Sequence, residues 1–167
     1  MRENVFLVNN LSVYHENVQL VLSTLWSKIS QENAWIISNS LNDFRLINYN
    51  ENRFTTHLYS ELFEANFKFI QDAVRNNEAE KCVVVTHHVP TLNNYPKEYL
   101  GSKINEAFAT NLNDFIDSSN IDFWIYGHLH YNTPDFKIGS TMLITNQLGY
   151  VHNREHLHFD TGKIIET

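Results

Sequence analysis

Two short apolar runs, each running out into a pair of histidines, leave this chain few ways to fold. Cys82-Val83-Val84-Val85 is continuous and largely β-branched, and it leads straight into Thr86-His87-His88-Val89-Pro90. Ile121 to Tyr126 is the second run, and it leads into Gly127-His128-Leu129-His130. Unbroken apolar runs of this kind suit strands buried on both faces, as in a sheet with layers packed against it. Ligands collect beyond the carboxyl ends of such strands. Both histidine pairs are therefore expected at one edge of one sheet, and the crossover between the runs favours a parallel pair.

The rest of the chain fits an α/β layered domain. Val5–Val8 is a short apolar run. Val13, Val18, Leu20 and Leu22 continue in strand-like alternation, predicting two or three antiparallel strands that end at Thr24-Leu25-Trp26. Residues 27–56 are polar with scattered apolar anchors, as expected of a functional loop or short helices. Leu58, Leu62, Ala65, Phe69 and Ala73, widened by Phe63, Phe67, Ile70 and Val74, predict a helix from about Thr56 to Asn76. Ile104, Ala107, Phe108, Leu112, Phe115 and Ile116 predict a second helix over about 104–118. Phe136–Ile138 and Met142–Ile144 read as strands hinged at Gly139, and His156 and His158 alternate with Leu157 and Phe159 as on a late strand. One domain over residues 1–167 is expected, without repeat or linker.

Composition narrows the function classes. The formal net charge is -7, so bulk electrostatics disfavour non-specific nucleic-acid binding. Cys82 is the one cysteine, and a reducing compartment is the default. No leader opens the chain and no apolar run approaches the ~20 residues that span a bilayer, so a cytoplasmic protein without a membrane partner is expected.

Imidazole is the common neutral ligand for zinc, iron and manganese. Residues two apart in extended chain point the same way, so His128 and His130 can project together, and Gly127 gives the backbone freedom to turn. A pair of hydrogen-bonded histidines in a polar loop is the plainer alternative. Two such pairs at the ends of two buried strands favour the metal reading. His57 and His152 are expected to be solvated, and His156 and His158 to line a polar strand face.

Thr-His-His-x-Pro after a hydrophobic strand, then Trp-Ile-x-Gly-His-x-His some forty residues later, resembles the last two motifs of calcineurin-like metallophosphoesterases. Thr24-Leu25-Trp26, Leu41-Asn42-Asp43-Phe44 and Asn146-x-x-Gly149-Tyr150 extend the likeness toward that family's bacterial phosphohydrolases. The resemblance implies the C-terminal half of a layered α/β/β/α sandwich, with mixed sheets flanked by helices. It implies two divalent ions (Mn, Fe, Zn or Ni) in one site and hydrolysis of a phosphate mono- or diester by a metal-bridging hydroxide. By position, His87 and His128 would bind one ion and His130 the other. His88 would be the catalytic neighbour, either hydrogen-bonding the ligands or facing substrate.

The departures from that family are equally informative. Its earlier motifs are Asp-x-His, Gly-Asp-x-x-Asp and Gly-Asn-His, and this chain has none of them: the five glycines are followed by Ser, His, Ser, Tyr and Lys. Gln147-Leu148 stands where relatives often carry Pro-Arg. The dinuclear site is thus expected to be partial, and the chain alone close to inactive. The apolar face left by a missing half would invite homo-oligomers. The alternatives are an inactive remnant serving as a binding or assembly module, or a mononuclear zinc hydrolase built on His87, His128 and His130.

Overall fold

A computed structural model describes residues 3–166. Six strands form one mixed sheet in the order β1-β2-β5-β6-β8-β7. They are β1 (Leu11–His15), β2 (Val18–Ser23), β5 (Lys81–Thr86), β6 (Phe123–Tyr126), β7 (Phe136–Ile138) and β8 (Thr141–Thr145). β2, β5, β6 and β8 run parallel, while β1 and β7 close the two edges as antiparallel hairpin arms. The two histidine-bearing strands are direct parallel neighbours, with Val83, Val84 and Val85 opposite Phe123, Trp124 and Ile125. Asp122 fixes that register from below, accepting from the Cys82 amide and the Lys81 ammonium at 2.9 Å each. This is the mixed α/β sheet flanked by helices that the sequence implies.

Between β2 and β5 lie α1 (Gln31–Ser40), α2 (Asp43–Leu46), a two-residue hairpin of β3 (Asn48–Tyr49) and β4 (Asn52–Arg53), and α3 (Thr56–Arg75). The polar stretch 27–56 is therefore short helices and a hairpin. Its apolar anchors are not idle: Ile29, Ile37, Phe44 and Phe54 form a separate core with Tyr59 and Ala107. The side chain of Thr55 caps α3 by accepting from the Leu58 amide, and the helix ends within a residue of the expected place. Phe63 and Ile70 bury its stripe against the sheet.

The two faces of the sheet differ. Val21, Cys82, Val84, Trp124 and Leu143 alternate onto the face under α3 and α4 (Asn113–Asp117) and are essentially fully buried. The Trp124 indole there donates to Thr86 Oγ1 at 3.0 Å. On the opposite face Val83 and Ile144 are buried, while Leu20, Leu22, Val85, Phe123, Ile125 and Met142 around them are only half-buried. Neither hydrophobic core includes any of them.

Four expectations are corrected. The crossover after β5 is not one helix over 104–118; it is a 3₁₀ turn at Asn105–Ala107, an extended stretch and the short α4. Residues 108–112 instead pair with 89–90: the Val89 amide donates to the Phe108 carbonyl, the Thr110 amide to Val89 and the Leu112 amide to Pro90, at 2.9–3.1 Å. Those tertiary bonds take the groups a helix would have used. The region of His156 and His158 is a 3₁₀ turn, Glu155–His158, rather than a strand. Val5–Val8 is irregular and largely exposed. Gly127 has no left-handed backbone; the positive φ angles fall on His128 (75°) and His130 (54°). Among the described residues no helix is long and apolar enough to cross a membrane.

Candidate functional site

Three parallel strands, β2, β5 and β6, finish at one edge and hand over to the loops that begin at Thr24, His87 and Gly127. The loops are tied together by main chain: the His88 amide donates to the Thr24 carbonyl and the Gly127 amide to the His87 carbonyl, both at 3.1 Å. Strand alternation then separates the adjacent histidines. His87 turns outward and His88 inward, where it is 2% exposed.

His87 Nε2 and His128 Nδ1 are hydrogen-bonded to each other at 3.0 Å, one ring donating and the other accepting, so that proton must leave before both can ligate one ion. His128 is held between two rings, stacking on His88 at 4.2 Å and on Phe108 at 4.9 Å between centroids. His88 Nδ1 is bonded to Ser27 Oγ at 2.8 Å, and the rings of Trp26 and Tyr59 pack around it. Leu25 and Trp26, both left-handed in φ, make the turn that delivers Ser27 there. Left-handed backbone at non-glycine residues is costly, and four of the ten such residues among those described, Leu25, Trp26, His128 and His130, lie at this edge.

His130 diverges from His128 because the backbone between them is not extended. Its amide donates to Gln147 Oε1 at 2.7 Å, and its Nδ1 lies 3.0 Å from Glu155 Oε2. With Glu155 ionised, Nδ1 carries the proton and Nε2 keeps its free lone pair. Glu155 also accepts from the Tyr150 amide and, through Oε1, from Asn153 Nδ2. Gly149 is needed for this contact: a Cβ there would come within 2.5 Å of the Glu155 Cβ and 3.1 Å of the His130 Cβ. Gln147, at the position where relatives often carry proline, has a bracing role of its own. It is buried and also donates to the Tyr131 carbonyl and Thr145 Oγ1, bracing the whole His-x-His loop on β8.

The three outward histidines share one cavity of about 560 Å³ with Glu155 and several aromatic side chains; His88 does not line it. Burial, then the neighbouring His87 and His130, lowers the His128 pKa to about 4. Burial first, and then His130, lowers that of His87. Burial, then His128 and His87, holds His88 well below the ordinary imidazole value. At neutral pH all three are neutral, the form that binds metal.

The fit to a metal is partial. Two nitrogens each ~2.0–2.1 Å from one ion stand roughly 3.0–3.4 Å apart, so His87 Nε2 and His128 Nδ1 already have the spacing of neighbouring ligands. Among the described residues, however, no group of three or more His, Cys, Asp or Glu side chains converges to hold an ion. The remaining histidines lie elsewhere: His15 is exposed at the end of β1, His57 is exposed beside Glu61, His152 packs near Tyr150, and His156 and His158 sit in the late 3₁₀ turn. Ser27, Phe108, Gln147 and Glu155 were not identifiable as site residues in the sequence. Glu155 left only an indirect trace, in the Gly149-Tyr150 pair that makes room for it.

The sequence profile of the calcineurin-like phosphoesterases matches residues 5–132. The chain belongs to that family. It is also 34% identical over 166 residues to uncharacterized protein L509 of Acanthamoeba polyphaga mimivirus, a match covering 93% of this chain and 58% of that protein. The chain thus spans well under two thirds of the length of the curated relative it matches.

Proposed function

We propose that residues 1–167 form one unit carrying the C-terminal part of a metal-dependent phosphoesterase site, acting on a phosphate mono- or diester. The observation that carries this reading is the 3.0 Å approach of His87 and His128 at neighbouring strand ends, in a chain of this family. His87 and His128 would hold one divalent ion through Nε2 and Nδ1, and His130 would offer Nε2 to a second. When bound, such ions supply activation of water and neutralisation of phosphoryl charge. The chain's own residues prepare for this. Burial keeps the His87 and His128 imidazoles uncharged, Glu155 fixes the His130 tautomer, and Phe108 and His88 clamp the His128 ring. The burial of His88 and its bond to Ser27 favour the supporting role over the substrate-facing one.

The carboxylates and asparagine of the family's earlier motifs are not in these 167 residues, and Glu155 is already engaged three ways. The expected result is negligible hydrolysis of an aryl phosphate with Mn²⁺ by this chain. Joined to a segment bearing Asp-x-His, Gly-Asp-x-x-Asp and Gly-Asn-His, it gains orders of magnitude in rate, which His128→Ala abolishes. Turnover by the short chain alone that depends on His128 would overturn the partial-site reading and favour a mononuclear one.

The half-buried sheet face of Leu20, Leu22, Val85, Phe123, Ile125 and Met142 supports a second reading, in which the chain also assembles through that face. A second copy of this chain is the simplest occupant.

A further inference from the structure

We propose that the cavity beside the histidines selects phosphate esters whose alcohol portion carries a flat aromatic ring, such as a nucleoside. The phosphate end of this proposal rests on the phosphoesterase reading; the ring end rests on the cavity walls. Tyr95, Tyr99, Phe108 and Tyr150 all line the cavity, with Ile104 and Leu129 filling between them. Among the described residues no lysine or arginine lines it. Among the described lining residues Glu155 is the one acid, so a leaving group with further phosphates or carboxylates would meet repulsion and no counter-charge. The ester must therefore present something uncharged to the walls.

The walls favour a plane. Tyr99 and Tyr150 are 43% and 55% exposed although each is fixed beside another ring, Tyr99 near Tyr95 and Tyr150 edge-on to His130 at 4.6 Å. Aromatic side chains held open at a cavity rim give stacking surface at little ordering cost. Phe108, stacked on His128, joins that surface to the imidazole pair, so a stacked ring would lie one linker away from the phosphate position. Polar groups for a ring edge are present too. Ser102 and Asn105 line the same cavity, and the Asn105 amide nitrogen already donates to the Tyr99 carbonyl, leaving its oxygen free to accept. The cavity, about 560 Å³, lies within the ~300–1,000 Å³ usual for small-molecule sites.

The test is equilibrium binding, which needs no turnover. Calorimetry on the folded chain with Zn²⁺ present, with tyrosine ring signals followed by NMR, compares adenosine 5′-monophosphate, adenosine and ribose 5-phosphate. The expected order puts ribose 5-phosphate at least about tenfold weaker than adenosine 5′-monophosphate, as one stacked base is worth. Tyr99→Ala and Tyr150→Ala each lower the affinity for the two ring-bearing probes several-fold and leave ribose 5-phosphate unchanged. Both side chains are at the surface, and circular dichroism verifies that the variants fold. Equal binding of ribose 5-phosphate and adenosine 5′-monophosphate, insensitivity to both substitutions, or no binding of any ring-bearing probe overturns the proposal. Adenosine binding as tightly as its phosphate would uphold the ring site and count against the phosphoesterase reading instead.

Discussion

His128→Asn should flatten the acid limb of this protein's stability curve. The native His128 is pushed down to about 4, chiefly by burial and then by His87 and His130, whereas the unfolded chain holds it near the ordinary 6.5. A depressed pKa means that the native state favours the neutral ring. Its stabilising contribution is complete above about pH 6.5 and is lost as acidity rises from there toward pH 4, because the unfolded chain takes up a proton the native chain refuses. Each unit of divergence is worth about 1.4 kcal/mol, so going from about pH 7.5 to about pH 5 should remove roughly 2 kcal/mol through this one ring. His87 and His88 shift in the same direction, so the total loss will be larger and only the difference between proteins is diagnostic. The assay is urea unfolding of parent and variant at both pH values, at low protein concentration. The variant should lose about 2 kcal/mol less than the parent over that interval. Equal losses in the two proteins would refute the claim that His128 is buried against its charge.

Three further outcomes are expected. Sedimentation at tens of micromolar should find the chain associated, and Leu20→Glu with Ile125→Lys should shift it toward monomer; a well-behaved parent monomer would count against the open-face reading. Glu155→Gln should weaken Mn²⁺ or Zn²⁺ binding by about tenfold or more, as loss of a tautomer-fixing carboxylate does. It should also release the Nδ1 proton of His130, read from its ring ¹⁵N shifts; unchanged shifts would remove Glu155 from that role.

Much of the frame is readable from residue order. The Cys82–Val85 run forecasts a central strand because its apolarity does not alternate, and α3 declares itself by a repeating apolar stripe. The second crossover is not readable in the same way. Ile104, Ala107, Phe108, Leu112 and Ile116 keep helical spacing, yet most of them enter the two cores from a 3₁₀ turn, an extended stretch and a short helix. Spacing reports which residues must be buried; main-chain partners such as Val89 and Pro90, distant in sequence, decide the path. The histidines at the site were legible as residue types at strand ends. What was not legible is their surroundings. Glu155 meets His130 across 25 residues and Ser27 meets His88 across 61, and neither partner has a local pattern that announces it.

The pair His87-His88 poses the sharpest remaining question, because adjacent residues of one type have been sent to opposite environments. If His88 were the group that touches substrate, replacing its ring would stop catalysis and cost little stability, since catalytic groups are seldom stabilising. The geometry argues the reverse. His88 is almost wholly buried, its Nδ1 bonded to a Ser27 hydroxyl that is itself fully buried, and its face carries His128. His88→Phe keeps a flat ring for His128 to stack on but takes the Nδ1 partner from the Ser27 hydroxyl, which keeps only Tyr59, and losing one such hydrogen bond costs about 0.5–1.5 kcal/mol. The expected phenotype is therefore a lower urea midpoint by that amount, with Mn²⁺ affinity close to the parent's and far above that of His128→Ala. In the protein completed with the family's earlier motifs, His88→Phe should retain most of its rate at a temperature where it stays folded, and the pH profile should keep its shape. A variant as stable as the parent but inactive would assign His88 to the substrate and remove it from the support of His128.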